Sequence, residues 1–554
     1  MATTAGASSW AREKALPIPD RNMVIIMEPF DSPRETKALP KFTKIFTSIS
    51  TTFQSISSTR CRSMFSILIA ILPSFLATLI KNPASSDKKR RETQKILALD
   101  GLRGLACLFV FHAHYSYSFS NCLEEAPTEQ LRDRIMYQPY ISLLWSGVAM
   151  VDVFFFISGY VLASKPLRLI RSQQVSKAFS AISSAVFRRA LRLYLPSMAL
   201  IVLVALMTHL RCFEAGNNFY WQAHIGKVGP QEPPPPYFTS FWDQIWDALM
   251  DCYRMFDNTI PWGAFNVPYT DTGAARPQAT IYDPHLWTIP VEFKCSMLIF
   301  MMLTLTAPLR TSWRMTINGG LALNCLFTER FAELLFMAGM FFAEIDMIRA
   351  ERHAQQVELD PSFHQRHNYN LPPARLQNLP FLQPVMSRRN FMSNLLGLTM
   401  FILGLFFLST PSQSADVYPQ FQTVLSWVPT YIREKDDFVR VIGAIMTTWP
   451  VATSTWLAPL FSNSVAHYLG QISFALYLVH GAVIKSLWYW LQPIVNEWVA
   501  GKPVWAMPSG PFIRLWLIGY VIVLPTVLWS ADIFWRVIDQ RCVALARWVE
   551  SKAV

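Results

Sequence analysis

The chain has 554 residues, of which 52% are hydrophobic and only 16% charged, where soluble domains carry about 25% charged residues. That balance excludes an ordinary soluble protein and fits one integral-membrane bundle. The formal net charge of +12 comes from Lys and Arg clustered beside apolar runs, which is the pattern of orientation in a bilayer and argues against a nucleic-acid partner.

Residues 1–60, rich in Ser, Thr, Pro and Lys, read as a disordered cytoplasmic tail. The first twenty residues hold no apolar core of a cleaved signal, so the first true spanning helix must direct insertion. Residues 61–95 combine an apolar segment, MFSILIAILPSFLATLI at 64–80, with a basic linker. Pro73 and the flanking basic residues make 64–80 interfacial or re-entrant, and an eleventh span if it crosses.

LDGLRGLACLFVFHAH follows at 99–114. Arg103 and His114 are eleven residues apart, and eleven steps of about 100° bring them back onto one helix face, roughly 16 Å apart. His112 falls on the opposite face. Asp100 and Cys107 join Arg103 and His114 on successive turns. An imidazole inside a bundle suits proton transfer from a hydroxyl, and a guanidinium suits the phosphates of an anionic donor. Snorkelling to the interface is the plain alternative for Arg103 and Asp100.

The second apolar segment, 142–163, carries Asp152 and Ser158-Gly159-Tyr160, where Gly159 permits close helix approach. The third, 190–209, begins with Arg188, Arg189 and Arg192, which either join an anion site or anchor the helix. The long connection 210–285 holds QEPPPPY and then FWDQIWDALMDCYRMF, an amphipathic helix expected on the outer membrane surface, at an entrance, or as a packed lid. HLWTIPVEFKCSML at 285–298 opens the fourth segment, 287–308, and sets Trp287, Glu292 and Lys294 in apolar sequence. Glu292 is thereby a candidate to orient a catalytic histidine, with Asp152 as a second.

Segments 315–328, 331–347, 392–410, 440–459, 467–490 and 512–533 complete a set of ten, with a proline-rich cytoplasmic connector at 350–390 and a short C-terminal cytoplasmic tail at 537–554. The 467–490 segment supplies Tyr477 and His480. The expected architecture is an all-α polytopic helix bundle of about ten spans. Alternating sides from a cytoplasmic start puts every basic cluster on one face, so both termini are expected in the cytoplasm. The eight cysteines form no CxxC and no local Cys/His cluster, so no metal site is expected. Cys122, Cys212 and Cys252 fall in loops placed outside the cytoplasm, where a 212–252 disulfide and free thiols are both open. There is no phosphate loop, Walker pattern or repeat.

LDGLRG with its arginine, ten residues and histidine, then VDVFFFISGYVL, HLWTIPVEF and QISFALYLVH stand in one order over residues 96–536. In these motifs the chain resembles the acyltransferase 3 family of integral-membrane O-acyltransferases, in its fungal form. The resemblance implies that Arg103 and His114 are the essential pair, with Glu292 and His480 as further motif residues. It implies transfer of an acyl group, acetyl first, from acyl-CoA to a hydroxyl of a carbohydrate, lipid or secondary-metabolite acceptor, with no tightly bound cofactor. Asp100, Arg188, Arg189, Arg192, Asp152, Tyr160, Trp287, Tyr477 and His480 are then the expected substrate and acyl-CoA contacts. Pro290 and Lys294 depart from the family's usual serine and second acid, and no hydrolase-like domain is appended. A transporter or flippase with the same residues along its path is the alternative, and a structural scaffold a third.

Overall fold

The computed structural model describes residues 92–119, 135–223, 232–257, 280–358, 388–412, 415–501 and 509–553. The expected tail at 1–60, the 64–80 segment, and Cys61 and Cys122 lie outside the described residues. Among the described residues every element is a helix or helical turn, with no strand.

Each of the ten apolar segments falls in a helix. In chain order these are α1 (Glu92–Tyr117), α2 (Gly147–Arg171) and α3 (Val175–His209), then two helices of the long connection, α4 (Glu214–Ala223) and α5 (Phe241–Asp257). A turn at Pro284–Trp287 leads into α6 (Thr288–Thr306), followed by α7 (Thr311–Phe327), α8 (Phe331–Glu358) and α9 (Arg388–Leu408). Then come the short α10 (Pro419–Ser426), α11 (Lys435–Thr453) and α12 (Ser464–Val483), which runs through a π-helical stretch Ile484–Trp488 into α13 (Tyr489–Val499). The chain finishes with α14 (Ser509–Phe534), a second π stretch Trp535–Asp539 and α15 (Gln540–Ala553). Among the described residues, six helices are long and apolar enough to cross a bilayer unaided. α7 is shorter, and α1, α8 and α11 carry more charge, which the bundle pairs internally. The result is the all-α bundle of a membrane protein.

The most extensive packing joins α1 to α12, α2 to α8, and α9 to α11. Glycine allows it. A Cβ on Gly159 of α2 would stand 1.9 Å from the Phe336 carbonyl oxygen, and one on Gly339 of α8 would stand 2.3 Å from that of Phe156, so the two backbones touch where any side chain would separate them. Gly104 and Gly470 do the same for α1 and α12. These two helices run parallel: Arg103 and Cys107 of α1 bond Gly470 and Ser473 of α12, and His114 meets His480 further along both.

The residues expected as a C-terminal tail form α15, which packs on α3 and pairs Glu550 with Arg188. α5 matches the expected amphipathic helix with an unusual polarity. Its aromatic residues Phe241, Trp242, Trp246, Tyr253 and Phe256 are exposed, while Gln244 and Asp251 are buried. The aromatic side suits an interfacial environment, and the polar side is tied inward. Gln244 donates to the Pro236 carbonyl and bonds the Tyr282 hydroxyl, and Asp251 accepts from the Ile281 and Tyr282 amides. Cys212 is exposed, Cys252 is buried, and both are free thiols.

Candidate active site

The site gathers at the far end of the α1–α12 seam. His114, near the last turn of α1, places its Nδ1 2.7 Å from Glu232 Oε1 and 3.1 Å from His285 Nε2. Glu232 Oε1 is also 3.1 Å from His285 Nε2. His285 Nδ1 lies 2.5 Å from Asp283 Oδ1. His480 of α12 lies beside both rings, with centroids 5.1 Å from His114 and 4.6 Å from His285, and its Nδ1 is 2.5 Å from the Tyr477 carbonyl oxygen. The Nε2 atoms of His114 and His480 are buried and have no hydrogen-bond partner among the described residues.

Local sequence builds this arrangement. Asp283-Pro284 starts the helical turn: the Asp283 side chain accepts from the His285 amide, and Pro284 occupies the first helical positions. The same carboxylate then fixes the His285 ring. Tyr477 donates to the His285 carbonyl oxygen and meets Thr288 Oγ1 at 2.7 Å, pinning the turn to α12. Glu232 arrives from the loop, immediately before four prolines that restrict the backbone to extended conformations. Its carbonyl accepts from the Tyr489 hydroxyl at 3.2 Å. Burial raises the affinity of Glu232 for a proton, but the His285 and His114 rings outweigh it and hold the carboxyl well below the usual range. Asp283 is lowered likewise, burial being overcome by His285 and, further off, Lys485 and His480.

His114 and Arg103 do share the α12-facing side of α1. His112 points elsewhere, into a cage of Trp145, Trp516 and Tyr520 with ring centroids 5.0 to 5.3 Å away. Arg103 is buried and engaged by the protein itself. Its Nε donates to Ser473 Oγ at 3.1 Å, Nη2 to the Gly470 carbonyl at 2.9 Å, and Nη1 pairs with Asp100 at 3.0 Å.

Two carboxylates expected near the histidine are elsewhere. Glu292, fully buried, pairs with Arg189, whose Nε also donates to Ser296 at 2.6 Å. Its position one turn into α6 serves the α3 contact instead of His114. Asp152 pairs with Arg440 of α11 at 2.9 Å. Tyr160 donates to Asp346 at 2.9 Å, and Lys294 reaches Glu333 at 3.4 Å. Arg192 is buried within electrostatic reach of Asp539, and Arg188 sits at the surface beside Glu550. Trp287 closes the turn that begins with Pro284 and carries His285. Of the expected residues, the structure therefore brings together His114, His480 and Tyr477.

Sequence reasoning passed over Glu232, Asp283 and His285. His285 heads the HLWTIPVEF motif, and DPH is a capping pattern readable in advance. Glu232 carried one signal, the rigid PPPP beside it. No local ligand spacing could reveal the histidine cluster, because His114 and His285 are 171 residues apart.

The arrangement is an imidazole with one nitrogen held by a carboxylate and the other open, which is what proton abstraction from a hydroxyl requires. The Acyltransferase domain profile, Acyl_transf_3, matches residues 96–536. An O-acetyltransferase, PaAT-1, of Phomopsis amygdali is 30% identical over 477 residues, covering 84% of this chain and 86% of that protein. Acyltransferase clz18 of Cochliobolus lunatus is 26% identical over 490 residues, covering 80% and 94%, and acyltransferase R4 of a Phoma species is 23% identical over 491 residues, with the same coverage. No solved structure matches. The profile match over most of the chain, together with relatives named for group transfer, sets aside the transporter and scaffold readings: the chain belongs to the acyltransferase 3 family and is a membrane acyltransferase.

Proposed function

We propose that the protein transfers an acyl group, acetyl in the first instance, from acyl-CoA to a hydroxyl of a carbohydrate, lipid or secondary-metabolite acceptor. The observation that carries this is the 2.7 Å contact of His114 Nδ1 with Glu232, which leaves Nε2 buried and open. With Nδ1–H donated to the carboxylate, Nε2 holds the lone pair. It takes the acceptor's hydroxyl proton as the oxygen attacks the thioester carbonyl. The tetrahedral intermediate collapses, the carbon–sulfur bond breaks, and the imidazolium returns the proton to the departing thiolate. The acetyl preference is supported by the name of the Phomopsis relative.

Glu232 fills the orienting role that the sequence assigns to Glu292 or Asp152. Arg103 acts as a positioning residue: its fork ties α1 to α12 and so sets His114 against His480. Acyl-CoA enters from the basic, cytoplasmic end of α1 and α3, where the charge of Arg188 and Arg192 favours its phosphates. The bilayer is the remaining partner, both termini facing the cytoplasm.

The test is acyl-CoA consumption by membranes carrying His114→Ala, Arg103→Ala or His112→Ala at matched expression. Loss in the first two and retention in the third is expected. Full activity in His114→Ala overturns the mechanism.

A further inference from the structure

We infer that His114, His285, His480 and Glu232 form a binding site for a divalent transition-metal ion of the zinc class, and that its occupancy switches the transferase off. The inference rests on His114 as the general base. Glu232 Oε1, His114 Nδ1 and His285 Nε2 make a nearly equilateral triangle with edges of 2.7, 3.1 and 3.1 Å. Hydrogen bonds explain two of these edges, since the carboxylate oxygen accepts from each ring. The third is a contact between two ring nitrogens that both point their protons at the same oxygen, and no hydrogen lies between them.

Three donors converging on one point are what a metal needs. The centre of that triangle lies about 1.7 Å from each corner, so an ion at the usual zinc–nitrogen distance of about 2.0–2.1 Å sits roughly 1.1 Å out of the plane. A fourth donor stands by. One ring nitrogen from each of His114, His285 and His480 falls within 4.8 Å of the other two. For His480 that atom is Nε2, because Nδ1 faces the Tyr477 carbonyl, and this Nε2 is buried without a partner. The surrounding shell matches that of metal-ligating histidines generally, with a carboxylate on His285 Nδ1 and a backbone carbonyl on His480 Nδ1 fixing both rings with Nε2 inward. A donor set of three imidazoles and one carboxylate favours zinc, cobalt and copper over magnesium or calcium.

Occupancy and catalysis exclude each other. A metal on His114 Nδ1 takes the lone pair of the other tautomer, so the neutral ring's single proton moves from Nδ1 to Nε2, where the base needs a lone pair. Metal binding thereby also draws Glu232 from its orienting role into coordination.

The test uses the full chain purified in detergent and titrated with cobalt(II), followed by visible absorption, with zinc as competitor and magnesium as control. One cobalt per chain with a four-coordinate spectrum, displaced by zinc and not by magnesium, is expected. His480→Ala and His285→Ala should each weaken cobalt binding at least tenfold. Zinc should lower turnover at least tenfold, reversed by a chelator. Absence of a cobalt spectrum in wild-type protein, with turnover indifferent to zinc, overturns the site and leaves the general base standing. Activation by zinc overturns the switch and the general-base reading together, while cobalt binding would still establish the site.

Discussion

Buried charge is handled in two ways in this molecule. In the body of the bundle, Arg189 with Glu292, Arg314 with Glu344, and Arg440 with Asp152 are ion pairs, each cation matched to a carboxylate on another helix, while Glu292 Oε2 and Arg440 Nη1 are left without a hydrogen-bond partner among the described residues. At the end of the α1–α12 seam the polar groups are not closed. Among the described residues, His114 and His480 each keep a nitrogen without a hydrogen-bond partner, Asp283 keeps an unpartnered oxygen, and Lys485 Nζ is buried without a hydrogen bond. Pairing tells helices where to sit, and a gathering of open polar atoms in one place leaves room for a ligand to complete them. The residues that look most catalytic by type, Glu292 and Asp152, each meet an arginine from another helix.

Substitutions can break this contrast. The largest effect is expected at Glu232→Gln, which keeps the shape and removes the charge that selects the His114 tautomer: turnover should fall by about 10²–10⁴-fold with no change in thermal unfolding. A parallel loss of stability would instead make Glu232 a structural residue. Next, Arg440→Met alone leaves Asp152 unpaired and should cost about 3–5 kcal/mol, whereas Arg440→Met with Asp152→Leu should recover most of it. Unfolding in detergent measures both, and the loss should appear as less folded protein, not slower chemistry per folded chain. Gly159→Leu forces α2 from α8 and should cost about 1–3 kcal/mol by the same assay.

A smaller effect concerns pH. Burial, working against the Ile281 and Tyr282 amides, raises Asp251 to about 6. With the folded value above the ordinary 3.8, its contribution to docking α5 is fully present below the ordinary value and is lost as pH rises through about 6. Hydrogen-exchange protection of residues 280–283 should therefore fall between pH 4 and 7, and Asp251→Asn should flatten that dependence. Protection that stays constant in the parent protein would remove the argument. The smallest effect belongs to Arg188→Ala. Its pair with Glu550 is partly exposed, so stability should change by about 1 kcal/mol or less.

The fold was legible because lipid imposes it: each apolar segment read from length and period falls in a helix, and Gly159 was readable as a contact glycine. Helical geometry separated His114 from His112 correctly, since that is a property of one helix. The site as a whole was less legible. Its second carboxylate comes from a loop, and its histidines come from three separate elements, so nothing in local spacing linked them. The partner of Glu292 was not legible either, because sequence shows that a buried acid needs a partner without showing that Arg189 meets it from α3.

The four prolines after Glu232 bring out what kind of part the long connection is. Such a segment behaves as a stiff strut rather than a tether, so the carboxylate comes preset, and the entropy of finding its place is settled before substrate arrives. An inventory of the helices alone would hold a histidine and no partner for it. The proposed centre is thus shared between the helix bundle and a connection of the sort that usually tolerates trimming. Replacing the four prolines with an equally long glycine–serine run, with α4 and α5 left in place, would yield a folded, inserted and chemically silent protein.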